Sequence, residues 1–576
     1  MELARALPLV AAALCVGAAG AACGGGAAGR DAARLPASTA PAPSAPADAT
    51  ARGGDATWEG WRRADEVILA PHRFAEAVAP LVRHRRALGQ SVTQLDIEPL
   101  LAGAAGGALD PKRLQQAVGS VAARAAGSLR YVLLVGDFDE LPTFFLSKLA
   151  YEHHTPGEHQ NPHAISWAEH TSYPSDDPYA DAGGSRLAVG RVPARSVEEV
   201  EAFVGKLIAY ESAPLDQGDQ SWRRRVTLYA GDPSLGPTAD ALVQSVATGI
   251  LDDDMSYDYD LRLTFVQERS PYAYGFDALE RKFVGDLDDG AIVAAYVGHG
   301  SVTRFAPAEY RGRRYEVGTA DDAAVLRIAA GKPVFFSIAC DTGAFDRPGG
   351  LPSLAERMIL NPDGPVAVFA ASRESHPYPN ALYGQEIIEH FVNERPPTVG
   401  AGIVAIKDGM VKASIPVAEL LLGDDIAALK AEHVKLYNLF GDPATALRYP
   451  APLVVATSAR TVTRGATFDV DVTVPAVPEG RVHVTLETRR STMKQPMVDS
   501  SSLAQMPESE AFAAMARNNA QANDKVVAAQ DVELHAGRAH ATLRAPDRSG
   551  DYFVKAFASG SDAAAGHAEL HVGATR

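Results

Sequence analysis

Cysteine is scarce in this chain, with three in 576 residues, and their positions exclude more than their number does. Cys15 lies inside an apolar run at the amino terminus and Cys23 closes that run, which leaves Cys340 as the one thiol of the remaining chain. A disulfide framework needs pairs, so none is expected here. Positive charge is also short. With 54 Lys and Arg against 71 Asp and Glu, the net charge is -17, and no basic patch is evident to neutralise phosphates, which argues against a general nucleic-acid binder. After the first 23 residues no apolar run approaches the roughly 20 residues that span a bilayer. Metal signatures are missing too. His153, His154, His159, His163 and His170 crowd one stretch, but their spacing matches neither the two-histidine helix of zinc peptidases nor a Cys/His finger. That stretch reads as a solvated loop, and no cofactor is required.

What is present divides the chain. Residues 1–23 combine a basic residue, an apolar core and a small-residue exit, the pattern of a signal peptide that marks export. Cys23, after Gly20-Ala21-Ala22 and before Gly24, resembles the lipidated cysteine of a bacterial lipoprotein, so any membrane attachment is expected there. Residues 24–56 are an Ala-, Pro- and Gly-rich tether. A chain of this length is too long for one core and predicts about three domains.

From Glu66 onward short apolar runs alternate with helical patterns. EVILA reads as a strand, and the following segment places Phe74, Val78, Leu81, Val82 and Leu88 on one helical face closed by Gly89. Asp110 and Pro111 are suited to cap and start the next helix. The alternation continues to PVAVFAA near 367–371, which predicts an α/β fold with a mostly parallel sheet flanked by helices in two subdomains, 57–215 and 216–450. After Tyr449 the period becomes two: Phe468, Val470, Val472 and Val474 alternate with polar residues. Residues 451–576 therefore predict an all-β sandwich, immunoglobulin-like in size, carrying a weakly helical insertion at 502–523.

The chemistry concentrates between 291 and 345. Two unalternating apolar runs, 292–297 and 334–339, have the composition of strands buried on both faces of a parallel sheet. One ends at Gly298-His299-Gly300 and the other at Cys340. Ligands of open α/β sheets bind at the carboxyl ends of strands, so neighbouring strands would bring an imidazole and a thiol to one crevice. The thiolate is the nucleophile and the imidazole handles its proton. The N-H groups of Gly300 and Cys340 are candidates to hold an oxyanion.

GHG closing one strand and Ala-Cys-x-x-Gly closing the next resemble the gingipain family of cysteine peptidases, whose sheet is caspase-like. RYVLLVGDFDELP, SDDPYADAGGSRLAVGRVPARSVEEVE, SLAERMILNPDGPVAVFAASRES and LYNLFGDPATALR continue the resemblance in family order from about residue 60 to 450. The resemblance implies a cysteine endopeptidase with His299 and Cys340 as its dyad and Asp232 as the acid that orients the histidine. It further implies cleavage after basic residues, with Asp240 at the position of the specificity acid and His376 and Tyr378 where relatives carry a pocket-lining tryptophan. Calcium at Asp176, Asp177 and Asp181 is a further expectation of the same kind, although the segment offers few oxygen ligands. Protein or peptide substrates follow. A sortase-like transpeptidase would use the same acyl-enzyme, and a non-enzymatic surface or adhesion protein would use the fold only for display.

Overall fold

The computed structural model describes residues 64–102, 110–149, 171–183, 186–232, 249–347, 351–416, 419 and 426–573. Ten strands form its principal sheet: β1 (Glu66–Ala70), β2 (Val92–Asp96), β3 (Tyr131–Val135), β4 (Ala188–Val192), β5 (Arg225–Ala230), β6 (Asp260–Phe265), β7 (Val293–Val297), β8 (Val334–Ile338), β9 (Ala367–Ala371) and β10 (Tyr437–Phe440). Their order across the sheet is β2-β1-β3-β4-β10-β9-β8-β7-β5-β6. Every pairing is parallel except β9 with β10. The sheet therefore passes without a break from the 57–215 half into the 216–450 half, with β10 running alongside the strands of the first half and β9, β8, β7, β5 and β6 running opposite to them. The carboxyl ends of the two sets lie on opposite edges, and a crevice at one edge draws its strand-end residues from one set.

Helices cover both faces, and strand alternation decides which side chains meet them. Ile68, Ala70, Leu133 and Val135 join one core, while Val67, Leu69, Val132 and Leu134 join another with Leu114 and Val118 of helix α1 (Pro111–Arg124). Burying such aliphatic side chains stabilises by about 1.5–3 kcal/mol each. Asp110 caps α1 by accepting from the Lys112 N-H at 3.0 Å, with Pro111 in its first turn, as its sequence predicts. The preceding helix, Ala75–Ala87, buries Val78, Leu81 and Val82. Leu88, expected on that face, is 56% exposed because the helix stops one residue earlier, ahead of Gly89 at φ +82°.

After residue 450 a six-stranded and a three-stranded sheet enclose one apolar core. The strand Thr467–Thr473 shows the predicted alternation, with Phe468, Val470 and Val472 inward. The insertion at 502–523 is helical and has a place that its sequence does not reveal. Of its helices α2 (Ser500–Gln505) and α3 (Glu508–Asn523), α2 accepts from Arg311 through the Leu503 and Ala504 carbonyls, while α3 reaches back to β6, the edge of the principal sheet. There the Asn523 side chain donates to the Leu263 carbonyl at 2.9 Å and accepts the Leu263 N-H at 2.8 Å. It satisfies the edge as a paired strand would. Arg490 anchors the base of this strap, donating to the carbonyls of Leu251, Met255, Ser256 and Tyr259. No helix among the described residues is long and apolar enough to cross a membrane.

Candidate active site

Three neighbouring strands end in register at the candidate site. Ala230 of β5 pairs with Val297 of β7, and Val297 pairs with Ile338 of β8. Asp232, His299 and Cys340 each lie two residues beyond that same rung. A carboxylate, an imidazole and a thiol thus leave the carboxyl edge of the sheet side by side.

The turn that carries His299 is held from three directions. Gly298 N-H donates to the Ile338 carbonyl at 3.1 Å, and Gly231 N-H donates to the Val297 carbonyl at 2.8 Å. Tyr296, fully buried and stacked on Phe305 with ring centroids 3.7 Å apart, donates its hydroxyl to the His299 carbonyl at 3.0 Å. Close approach explains the glycine at 300: a β-carbon there would sit 2.9 Å from Ala339 Cβ and Thr342 Cγ2 and 3.1 Å from the Cys340 carbonyl oxygen. The histidine turn rests directly on the cysteine turn. In the short hairpin that follows, Ala306 N-H bonds the His299 carbonyl at 3.0 Å, and Gly300 faces Phe305. The alternation of antiparallel ladders then turns the Gly300 N-H away from its hairpin partner.

Cys340 is half-buried and leans toward the loop after β9. Its Sγ accepts the Ser375 N-H at 3.4 Å and lies 3.7 Å from both the Ser375 hydroxyl and the Ser375 carbonyl. The His299 ring is exposed, and among the described residues no hydrogen bond joins it to the thiol. Burial, reinforced by the Asp341 carboxylate, pushes the thiol up to about 12. At rest it carries its proton. Asp341 itself is 3% exposed, adopts a left-handed φ of +59° and leaves Oδ1 without a hydrogen-bond partner. Burial raises its carboxyl to about 7 against the opposing pull of Lys148 and Arg373.

Several expected residues lie elsewhere. His376 and Tyr378 are 4% and 1% exposed at the start of the helix Pro377–Ile387. His376 Nδ1 accepts the Tyr378 N-H at 3.1 Å, its own N-H donates to His433 Nε2 at 2.7 Å, and the Tyr378 hydroxyl donates to Glu419. Helix capping turns the His376 side chain inward, and the bond to Glu419 does the same for Tyr378. The calcium ligands expected at Asp176, Asp177 and Asp181 are not assembled either. Buried Arg191 grips Asp176 at 2.6 and 2.7 Å, Asp177 accepts from Lys407 at 2.8 Å and from Arg186, and Asp181 is exposed. Cations of the chain already compensate the two buried carboxylates, and among the described residues no cluster of three His, Cys, Asp or Glu is arranged to hold a metal ion. Asp240, Cys23 and the histidine-rich stretch 151–170 lie outside the described residues. Tyr296, Asp341 and Ser375 are the residues that sequence reasoning missed. Asp341 simply follows the thiol in the chain, whereas only the register of β7, β8 and β9 brings Tyr296 and Ser375 to it.

A cavity of about 160 Å³ lies away from this edge, between β6 and the carboxyl-terminal sheets, lined by Arg224, Asp260, Glu487 and Lys555 among others. Lys555 binds Asp260 and Glu487, and Arg224 faces Asp260 at 3.0 Å, so its charges are matched internally.

A family model, peptidase family C25, matches residues 61–448 of the chain. No curated protein sequence matches it. Among solved structures the chain is similar to the Arg-specific cysteine proteinase gingipain R, at 16% identity over 89% of this chain and 98% of that one, with a TM-score of 0.49. It is similar to the complex of Porphyromonas gingivalis RgpB pro- and mature domains at 16% identity, 88% and 100% coverage and a TM-score of 0.49. Dimeric latent PorU from Porphyromonas gingivalis is similar at 14% identity, with 89% of this chain and 43% of that chain covered and a TM-score of 0.33.

Proposed function

The chain belongs to peptidase family C25, and from that premise we propose that it is an exported cysteine endopeptidase working through His299 and Cys340. One observation carries the reading: Asp232, His299 and Cys340 stand two residues beyond a single rung shared by β5, β7 and β8. His299 takes the thiol proton, Sγ attacks the scissile carbonyl carbon, and the carbon-nitrogen bond breaks as His299 returns the proton to the leaving amine. Water then releases the acyl group from sulfur by the same base. The N-H groups of Gly300 and Cys340 stabilise the oxyanion, and Asp232 orients the imidazole. Family resemblance supports a preference for Arg or Lys before the scissile bond, with Asp240 as its acid. The signal-peptide pattern and Cys23 support export with a lipid anchor, and residues 451–576 are read as an immunoglobulin-like module.

Cys340→Ala and His299→Ala each abolish hydrolysis of a fluorogenic peptide library while the protein remains folded. Alkylation of the wild type labels Cys340 and stops turnover. Retained hydrolysis in Cys340→Ala would sink the proposal.

A further inference from the structure

The thiol is contacted by the loop that follows β9. Ser375 reaches Cys340 Sγ with two groups, its N-H at 3.4 Å and its hydroxyl at 3.7 Å. The hydroxyl is itself oriented. Asn380 Nδ2 donates to Ser375 Oγ at 2.8 Å, and Tyr437, fully buried on β10, donates to Asn380 Oδ1 at 2.7 Å. Because Oγ already accepts from Asn380, its own proton is free to point at sulfur. The Tyr437 hydroxyl also reaches Ser375 Oγ directly at 3.4 Å, and with the Ser375 proton turned to sulfur the chain Tyr437, Asn380, Ser375, Cys340 donates in one direction, so that cooperative polarisation strengthens the last bond.

We propose that Ser375 is a further catalytic residue, stabilising the Cys340 thiolate with its hydroxyl and N-H, while Asn380 and Tyr437 are positioning residues that aim the hydroxyl. The proposal rests on Cys340 being the nucleophile. Its physical need is evident at the site. Among the described residues no hydrogen bond joins the resting imidazole to sulfur, and burial disfavours the anion. The Ser375 carbonyl, 3.7 Å from sulfur, accepts the proton of the thiol form. Ionisation exchanges that bond for two donors aimed at the anion, and hydrogen bonds to a charged acceptor are roughly twice as strong as neutral ones. The charged and titratable groups acting on the sulfur are Asp341 on its own turn, Glu374 on the Ser375 loop, Tyr296 on β7 and Tyr437 on β10, and His299 lies on the adjoining turn. None of the carboxylates helps the thiolate, which leaves Ser375 and His299 to do so.

The test is the rate of iodoacetamide alkylation of Cys340 against pH in the full chain, which reads the thiolate without requiring peptide turnover. Ser375→Ala moves the midpoint upward by about one unit, equivalent to roughly tenfold slower alkylation below it. Tyr437→Phe, which keeps the ring and removes one hydroxyl, moves it in the same direction by less, and reports even if Ser375→Ala fails to fold. Midpoints identical to wild type in the folded variants overturn the proposal, as does a lowered melting temperature with no movement of the midpoint. A shifted midpoint in a protein that cleaves no peptide supports the Ser375 assignment while overturning the peptidase reading.

Discussion

Replacing Gly300 by Ala tests whether close packing of the two turns sets the reaction geometry. The added β-carbon would stand 2.9 Å from both Ala339 Cβ and Thr342 Cγ2 and 3.1 Å from the Cys340 carbonyl oxygen. Carbon atoms in contact settle at about 3.5–4.0 Å, so the histidine turn must retreat by roughly 0.6–1 Å from the cysteine turn. The β-sheet beneath gives little, because Ala339 and Thr342 are fully buried, and such overpacking costs about 1–3 kcal/mol of stability. A displacement near 1 Å between reacting groups lowers turnover by about 100-fold. The same retreat moves the Gly300 N-H away from the oxyanion position. The assay is kcat/KM on a fluorogenic peptide, together with iodoacetamide labelling of Cys340. The expected result is a fall of about two orders of magnitude in kcat/KM with labelling preserved, since the Ser375 contacts to sulfur do not pass through residue 300. A folded variant within a few-fold of wild type would refute the argument, because it would mean that the spacing of the two turns does not set the rate.

Two further outcomes follow from the same structure. The Asp341 carboxyl, raised by burial from 3.8 to about 7 in the folded chain, contributes stability that is fully present below 3.8 and lost as pH rises through about 7, at about 1.4 kcal/mol per unit of difference. Asp341→Asn removes that loss, so its melting temperature should gain on the wild type between pH 4 and pH 8; a constant offset would refute the sign. Arg490, 5% exposed and stacked on Tyr257 at 4.0 Å, bonds four carbonyls beneath the strap. Arg490→Ala leaves those acceptors without their charged donor, a loss of at least about 3 kcal/mol, and should lower the first thermal transition and release the carboxyl-terminal unit to limited proteolysis. Unchanged melting and cleavage would remove the strap from the account of the fold.

The amino-acid sequence by itself determined the elements and put His299 and Cys340 just past the ends of two of its strands. Short β-branched runs such as 293–297 and 334–338 can satisfy their backbone and bury their side chains only as inner strands, and local periodicity is enough to find them. Cysteine arithmetic isolated Cys340, and glycines flanking His299 marked a sharp turn at a strand end. Tertiary structure decided everything that depends on residues distant in the chain. The carboxylates of Asp176 and Asp177 look like ion ligands in sequence, yet Arg191 and Lys407 neutralise them, and charge pairing across 15 and 230 residues has no local signature. His376 and Tyr378 are buried by contacts invisible in the local sequence, His376 by capping a helix and donating its N-H to His433, Tyr378 by its bond to Glu419. The helix at 508–523 carries only a weak pattern because the surface it covers, the edge of β6, belongs to another part of the fold. Ser375 lies 35 residues beyond the thiol it touches. Only the parallel register of β8 and β9 makes them neighbours, and register is set by the packing of the whole sheet, not by either strand alone.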